Sequence, residues 1–586
     1  MSLPSQVLHI DLTKRKYWIE DRGELFQLYL GGTGVAIRLL EEECPRGADP
    51  LGPENPIIFA VGPLNGVLPL ASKTVAMFKS PLTGNLGESH AGGRSATAIR
   101  SAGYGAIVIK GASETPIYLA IHEDKVYFRD ARALWGVSSA ITVGRVIREL
   151  EPSPGLRTIM RIGRAGENLV RYSAVMLETY RHFGRLGLGA VFGSKKLKAI
   201  VISGSKIVRV KNRKLFREVY REIYEQSIKT PLMKKYYELG TPINISPLNK
   251  IRGLPIKNLK ETSSPLAEKI SGELMAEKYL GRRVACSHCP VACIHLAALR
   301  EPYPDEKYFY KTTMISYDYE PMYALGCMLG VFEPEGLLKL LDAVEVLGLD
   351  AISTGVAMAW ATEALERGII RKEDVEVELK WGDYEAYIEA IHKLANASNE
   401  FYKVLGMGVE KASEVYGGKE FALAFGGNEM PGYHTGPLAH IGFLTGARHS
   451  HLDSAGYSLD QEHLKEGKLP DPEKGAEELF KEESWRQILT SLVICFFARK
   501  IYKEDLTVKA LRVVGIETNV EELRKLGVGI LKAKNRFKIR EGFDPSKLRV
   551  PKRIFETPSP HGKIEERYIK RAVSKFFELA LGQGDQ

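Results

Sequence analysis

Cys286, Cys289 and Cys293 fall within the stretch ACSHCPVACIHLA and make up half of the six cysteines in the chain. Thiols clustered this tightly bind metal or do chemistry, and three ligand sets are open to a C-x2-C-x3-C run. Zinc would complete itself with His288 or His295, although His288 sits inside the first C-x2-C loop and His295 lies only two residues past Cys293. A radical enzyme that leaves one cluster iron open uses C-x3-C-x2-C, the reverse order. A [4Fe-4S] cluster takes four thiolates, so its fourth ligand would be remote. The best candidate is Cys495 in ILTSLVICFFARK, whose plain alternative is a buried cysteine in an apolar helix. Cys44 and Cys327 read as core residues, since a free cysteine packs as a small hydrophobe.

Two glycine-rich stretches invite a nucleotide reading and fail it. GGTGVAI lacks the third glycine of G-x-G-x-x-G, and GAVFGSK has Ser before Lys instead of the G-K-[ST] order. Glycines still let backbone amides approach anionic groups, phosphates above all. Glu320 in SYDYEPMYALGC reads, on spacing alone, as an exposed glutamate at a helix start. His392 in YIEAIHKL reads as a surface residue of a helix.

The elements that must position these residues change character along the chain. With 586 residues the chain is too long for one core. Residues 1–208 carry short apolar runs bounded by turn residues, PIIFAVGPL, KTVAMFKSPLTG, GYGAIVIKGA and LKAIVISGS, which predict a mostly β region. From residue 209 onward, EGLLKLLDAVEVLG, STGVAMAWATEALERG and YEAYIEAIHKLANAS show helical spacing, which predicts α-helical domains. The glycine-rich break VYGGKEFALAFGGNEMPGYHTGP marks a second boundary, giving expected domains 1–208, 209–415 and 416–586. No internal repeat is visible. The fold expected is α+β and multidomain, a β-rich domain followed by two mainly α-helical ones.

At 44% hydrophobic and 26% charged the composition is that of a soluble globular protein. The N-terminus has no charged head followed by an apolar stretch, and no apolar run approaches a membrane span, so the expectation is a cytoplasmic protein with no membrane association. The net charge of +10 comes without a basic block or interleaved aromatics, so no nucleic acid is expected and an acidic protein partner fits better. Only seven Gln beside abundant Lys and Glu hints at a thermophilic source.

SPLTGNLGESHAGG, GRLGLGAVFGSKKLKAI, CSHCPVAC, LGLDAISTG and a late isolated cysteine occur in this order across nearly the whole chain. In that order and at about this length they resemble the tungsten-containing aldehyde ferredoxin oxidoreductases. The resemblance implies a [4Fe-4S] cluster on Cys286, Cys289, Cys293 and Cys495, beside a tungsten ion held by two pterins whose phosphates a magnesium ion bridges. The first domain then becomes the platform for the pterins, with Lys73, His90, Gly92, Gly93, Arg181, His182, Gly184 and Arg185 facing them. Lys73 stands where the family usually has Arg, His90 where it has Asn, and His182 where it has a small residue. Losing Arg keeps the charge but not the planar fork. Two D-x-x-G-L-[DC] motifs are implied to bind the pterin rings: EVLGLD, with Glu345, Leu349 and Asp350, and TSLVIC, with Ile494 and Cys495, where Thr490 replaces the Asp and Val493 the Gly. The resemblance makes Glu320 the general base or water-orienting group, with His451 and His449 competing for the second catalytic position. It further implies oxidation of an aldehyde substrate to a carboxylic acid, and ferredoxin as electron acceptor. Two rival readings are a family member of altered substrate with a small iron-sulfur subunit, and a non-enzymatic zinc- or cluster-binding interaction protein. Monomer and homodimer are both open.

Overall fold

The structure is a computed structural model that describes residues 3–151, 156–178, 180–208, 210 and 212–582. The N-terminal region is built from twelve strands. They are β1 (Gln6–Asp11), β2 (Lys16–Asp21), β3 (Ile57–Ala60), β4 (Thr74–Lys79), β5 (Leu86–Ala91), β6 (Ala106–Lys110), β7 (Ile117–His122), β8 (Lys125–Asp130), β9 (Arg157–Ile162), β10 (Val175–Leu177), β11 (Arg181–Phe183) and β12 (Leu197–Ser203). They form two six-stranded sheets, ordered β2-β1-β6-β3-β4-β5 and β8-β7-β12-β9-β10-β11. Alternate residues of both sheets, among them Leu8, Ile10, Phe59, Ile107, Leu119, Met160 and Ile200, meet in one core, so the sheets pack face to face. The outer face of the first is covered by helix Gly32–Glu43 and that of the second by helix Ala140–Leu150. Central strands buried on both faces explain why the sequence reads as continuous apolar runs.

The two sheets have the same topology. Replacing β1–β6 by β7–β12 reproduces the strand order, with a parallel β1–β6 or β7–β12 pair and antiparallel pairs elsewhere. The long helices occupy matching places, as do the short ones, Ser95–Ala102 and Leu188–Ser194. The expectation of no internal repeat is therefore corrected: the domain is a structural duplication. The halves share short matches at equivalent places, AIVIKG at 106–111 with AIVISG at 199–204 and His90 with His182, set among segments whose residues otherwise differ.

Beyond residue 212 the chain is mainly helical, with one departure from the expectation. Leu280–Val284, Ile294–Tyr303 and Glu306–Tyr317 form a three-stranded antiparallel sheet, β13–β15, and the cysteine loop connects the first two strands. The glycine-rich stretch at 415–437 contains a two-stranded hairpin, Ala424–Phe425 with Asn428–Glu429. Cys44 and Cys327 are buried at 2% and 0% exposure, as core thiols. No helix among the described residues is long and apolar enough to cross a membrane.

Candidate active site

The two halves of the duplicated domain place equivalent segments around one cavity. His90 on β5 pairs with Val75, and His182 on β11 pairs with Met176, at matching positions of the two sheets; Gly92 and Gly184 follow two residues later. Each half receives a segment from the helical region. Gly163, after β9, lies against Leu347 and Gly348: a β-carbon on it would meet the Leu347 carbonyl oxygen at 2.3 Å. Gly62, in the same place after β3, lies against Ser491 and Leu492, where an added β-carbon would meet backbone at 2.8 Å. In one half the Asp350 amide donates to Tyr172 O (3.0 Å) and the Ala174 amide to Gly348 O (2.8 Å). In the other the Cys495 amide donates to Leu70 O (2.9 Å) and the Lys73 amide to Val493 O (3.0 Å). The segments 345–350 and 490–495 are thus mounted the same way.

Leu70 ties the distant cysteine to the local three. Its amide donates to His288 O (3.1 Å) while its carbonyl receives the Cys495 amide, and it adopts φ 68° to face both. The Ser287 amide donates to Gly93 O at 2.8 Å, fastening the cysteine loop to the same platform. All four thiols line the cavity. Gly92 is required where it stands, because a β-carbon there would lie 2.7 Å from Cys286 Sγ and 3.3 Å from Lys73 Nζ. Burial and the neighbouring Cys286 and Cys495 push the Cys289 thiol up to about 12, and burial raises Cys293 well above the ordinary thiol range. Buried thiols such as Cys289 and Cys293 resist ionising unless a cationic centre joins them.

Cations and histidines rim the cavity. Burial alone would lower Arg181, but Asp318, with Oδ2 2.6 Å from its Nη1, and the thiols Cys293 and Cys286 raise it. His90 donates from Nε2 to the Glu88 carboxylate (2.7 Å), and burial then Arg448 bring its ring down to about 4, so it is neutral. His182 Nε2 stands 2.9 Å from Glu345; burial pushes Glu345 up, but His182, Arg161 and Arg181 hold it below the ordinary carboxylate range. Arg185 Nε binds Asp350 Oδ2 at 3.2 Å.

Glu320 enters the cavity from the first turn of a short helix, Tyr319–Met322. Burial lifts its carboxyl to about 7, against hydrogen bonds from the Gly432 amide and Tyr433. His451 Nε2 stands 3.2 Å from Glu320 Oε1, and burial keeps the imidazole neutral. A carboxyl with this pKa beside a neutral imidazole is suited to moving protons near neutral pH. The rings of His451, Tyr433 and Tyr457 form the adjoining wall, Tyr433 stacking on Tyr457 at 4.0 Å.

Comparison with known proteins decides the family. Residues 7–204 match the family model for the N-terminal domain of aldehyde ferredoxin oxidoreductase, and residues 218–581 the model for its domains 2 and 3. The chain belongs to the aldehyde ferredoxin oxidoreductase family. It is 32% identical to the tungsten-containing aldehyde ferredoxin oxidoreductase of Pyrococcus furiosus, over 95% of this chain and 92% of that one. It is 31% identical to the WOR-like subunit of aliphatic sulfonate oxidoreductase from the same organism, over 70% and 66%. The fold is also that of the active site complex BamBC of benzoyl coenzyme A reductase, solved with 1,5-dienoyl-CoA, at TM-score 0.82 and 22% identity, over 98% and 94% of the two chains.

Most positions that the family resemblance singled out line this one cavity: Lys73, His90, Gly92, Arg181, His182, Gly184, Arg185, Glu345, Leu349, Asp350, Ile494, Glu320, His451 and the four cysteines. Three stand apart. His449 points into the core, with Nδ1 on Phe443 O (3.0 Å) and Nε2 on Lys538 (3.0 Å). The Thr490 hydroxyl turns back to its own helix, donating to Arg486 O at 2.9 Å. Gly93 contributes its carbonyl to Ser287 and does not line the cavity. The glycines of GGTGVAI and GAVFGSK are packing joints: an added β-carbon would meet Thr490 O at Gly32 and Gly166 O at Gly193. Tyr236, Tyr433, Tyr457, Arg486 and Arg499 also line the cavity, and nothing in their local spacing marks them in the sequence.

A bound cofactor fits the donor set. Arg185 Nη1 and His451 Nδ1 are buried at the cavity with no hydrogen-bond partner among the described residues, although buried polar atoms are nearly always paired. Zinc fits poorly: His295 uses Nε2 on Tyr237 O (3.0 Å), and His288 does not line the cavity. Among the described residues no three His, Cys, Asp or Glu side chains are gathered around a single ion. A cluster with its thiolates at separate corners needs a wider spacing than one ion does.

Proposed function

We propose that the chain is a tungsten–bispterin oxidoreductase that converts aldehydes to carboxylic acids and passes the electrons through a [4Fe-4S] cluster to ferredoxin. The observation that carries this reading is the meeting of Cys495 with Cys286, Cys289 and Cys293 on the wall of a cavity flanked by two equivalent mounts. The cluster would be held by these four thiols, and the pterins by the segments ending at Asp350 and Cys495. Lys73, His90, Arg181 and Arg185 would face the pterin phosphates and the magnesium ion between them. When bound, the metal–pterin group supplies the two-electron oxidation and the cluster the one-electron steps.

The protein's own part is orientation and proton transfer. Glu320, when ionised, takes a proton from the water that adds to the aldehyde carbon or from a hydroxyl of the hydrate so formed. His451 donates to the substrate oxygen or relays the proton, and the wall of Tyr433 and Tyr457 excludes bulk water. The electron exit faces outward at the cysteine loop, where Ala285 and His288 are exposed beside the exposed Arg282 and Arg283.

A different substrate is favoured by one feature. Arg499 lines the cavity, hydrogen-bonded to Phe496 O at 2.9 Å and to Tyr236; Glu482 acts on it only at a distance, and it has no ion pair among the described residues, as a site for an anionic substrate group would leave it. The name of the sulfonate oxidoreductase relative, itself a subunit, supports the same direction and a small partner subunit. Turnover of neutral aldehydes, carboxylated aldehydes and sulfonates by protein grown with tungsten, with ferredoxin as acceptor, tests both readings. Oxidation of an aldehyde of either kind supports the reaction class; none by fully metallated protein refutes it.

A further inference from the structure

We propose that Asp350, Ser353 and Glu429 form a proton exit from the cofactor cavity to a separate surface cleft. The inference rests on the oxidation proposed above, because aldehyde plus water gives carboxylate, two electrons and three protons, and the protons must leave a buried site.

Ser353 Oγ lies 2.6 Å from Asp350 Oδ2 and 2.6 Å from Glu429 Oε2. A hydroxyl has one hydrogen and can serve only one of two carboxylate oxygens. Both short contacts hold only if one carboxyl carries a proton of its own and donates it to the serine oxygen. Glu429 is fully buried, and burial raises its pKa, which makes it the holder of that proton. Asp350 lines the cofactor cavity and Glu429 does not.

On its far side Glu429 Oε1 accepts the Val409 amide at 3.0 Å. Beside that amide is Gly408, which lines a second cleft together with Arg171 and Lys411. A β-carbon on Gly408 would stand 3.2 Å from Glu429 Oε1 and 2.7 Å from Leu82 Cδ1, so at that point the carboxyl is separated from the cleft by a glycine and the tip of the Leu82 side chain, which also lines the cleft. The groups facing Glu429 are Arg185, whose Nη2 donates to its carbonyl oxygen at 2.6 Å, Asp350 and Tyr172. The positive charge of Arg185 favours release of the proton.

Each cycle balances. The Glu429 carboxyl rotates to bring its protonated oxygen from Ser353 round to the cleft, gives that proton to water there and becomes a carboxylate, and the Ser353 hydroxyl turns its hydrogen from Asp350 to Glu429. A proton arriving on Asp350 Oδ2 is taken by Ser353 Oγ, whose own O–H bond breaks as its hydrogen passes to Glu429 Oε2. The net result is one proton moved from cavity to cleft. Asp350 is restored, and the serine hydroxyl, now carrying the hydrogen received from Asp350, again points to it.

Two measurements test this. In the infrared spectrum of the cofactor-free protein, the carbonyl stretch of a neutral carboxylic acid is expected to lose intensity in Glu429→Gln. An unchanged band means Glu429 is ionised and overturns the shared proton. In metallated protein of equal tungsten and iron content, Glu429→Gln and Ser353→Ala are expected to lower kcat about tenfold or more with KM unchanged and a larger solvent isotope effect, while Ser353→Thr, which keeps a hydroxyl, restores the rate. Wild-type turnover with unaltered kcat and isotope effect in Ser353→Ala overturns the exit path. A wild-type enzyme that oxidises no aldehyde refutes the proposed function instead, and the infrared result still decides the proton.

Discussion

Val493 occupies in one half of the site the position that Gly348 occupies in the other. Both have positive φ, 55° and 75°, and both offer the carbonyl that receives a platform amide, from Lys73 and Ala174. A β-branched residue in this region is strained by about 1–3 kcal/mol.

The strain is measurable. Replacing a buried strand valine such as Val201 by glycine loses its buried surface and adds backbone freedom, together about 3 kcal/mol. Val493→Gly loses the same groups but relieves the strain, so it is expected to destabilise the apoprotein by at least about 1 kcal/mol less than Val201→Gly in denaturant unfolding. Equal losses would mean that position 493 carries no strain.

Glu320 is expected to set the pH dependence of turnover. Burial raises its pKa to about 7, so the ionised form that can accept a proton is scarce below that pH and dominant above it. The rate kcat is expected to climb as pH rises through 7, and Glu320→Gln to lose both the climb and ~10²-fold or more of kcat at unchanged metal content. His451→Asn is expected to depress kcat as well, whereas His449→Asn, at a core position bonded to Lys538, is expected to act on stability. A full rate in Glu320→Gln would leave that carboxyl a structural role only.

The sequence makes the cofactor-facing positions legible where chemistry demands a residue type at a fixed spacing. Cys286, Cys289 and Cys293 carry their own signature, whereas Asp350 comes only from the family resemblance. Cys495 needed the family pattern, because one cysteine in an apolar run looks like core, and the helix in fact stops at Ser491, before it. The duplication is written only in short matches, AIVIKG at 106–111 with AIVISG at 199–204 and His90 with His182, because sandwich packing asks for alternate apolar residues and leaves most identities free. The His-Leu pair of the family pattern favours His451 only slightly over His449, which keeps the better distance to Cys495, because the turn at His449, with φ 53°, decides which ring faces the cavity. Glu429 was missed for a related reason: its partner Ser353 is 76 residues away in sequence.

Cysteine replacements separate ligands from packing. Cys495→Ala is expected to disturb the cluster and cut electron transfer to ferredoxin, and Cys495→Ser to retain a cluster of shifted potential. Cys44→Ala and Cys327→Ala remove buried thiols of the core and are expected to leave iron content unchanged. Iron analysis and the EPR signal of the reduced cluster check all four. Loss of the signal in Cys44→Ala or Cys327→Ala would overturn the assignment.

Electron delivery is expected to depend on salt. The chain carries a net charge of +10, and Arg282 and Arg283 are exposed beside the cysteine loop. Salt screens the attraction of an acidic carrier, so ferredoxin reduction is expected to slow as ionic strength rises while reduction of a small neutral dye does not. Equal sensitivity of the two acceptors would argue against electrostatic docking.

Elemental analysis of protein purified without air tests the central claim most directly. The expected result is about one tungsten and about four iron atoms per chain, with magnesium and negligible zinc, as one bispterin centre and one [4Fe-4S] cluster require. Stoichiometric zinc with neither iron nor tungsten would contradict it.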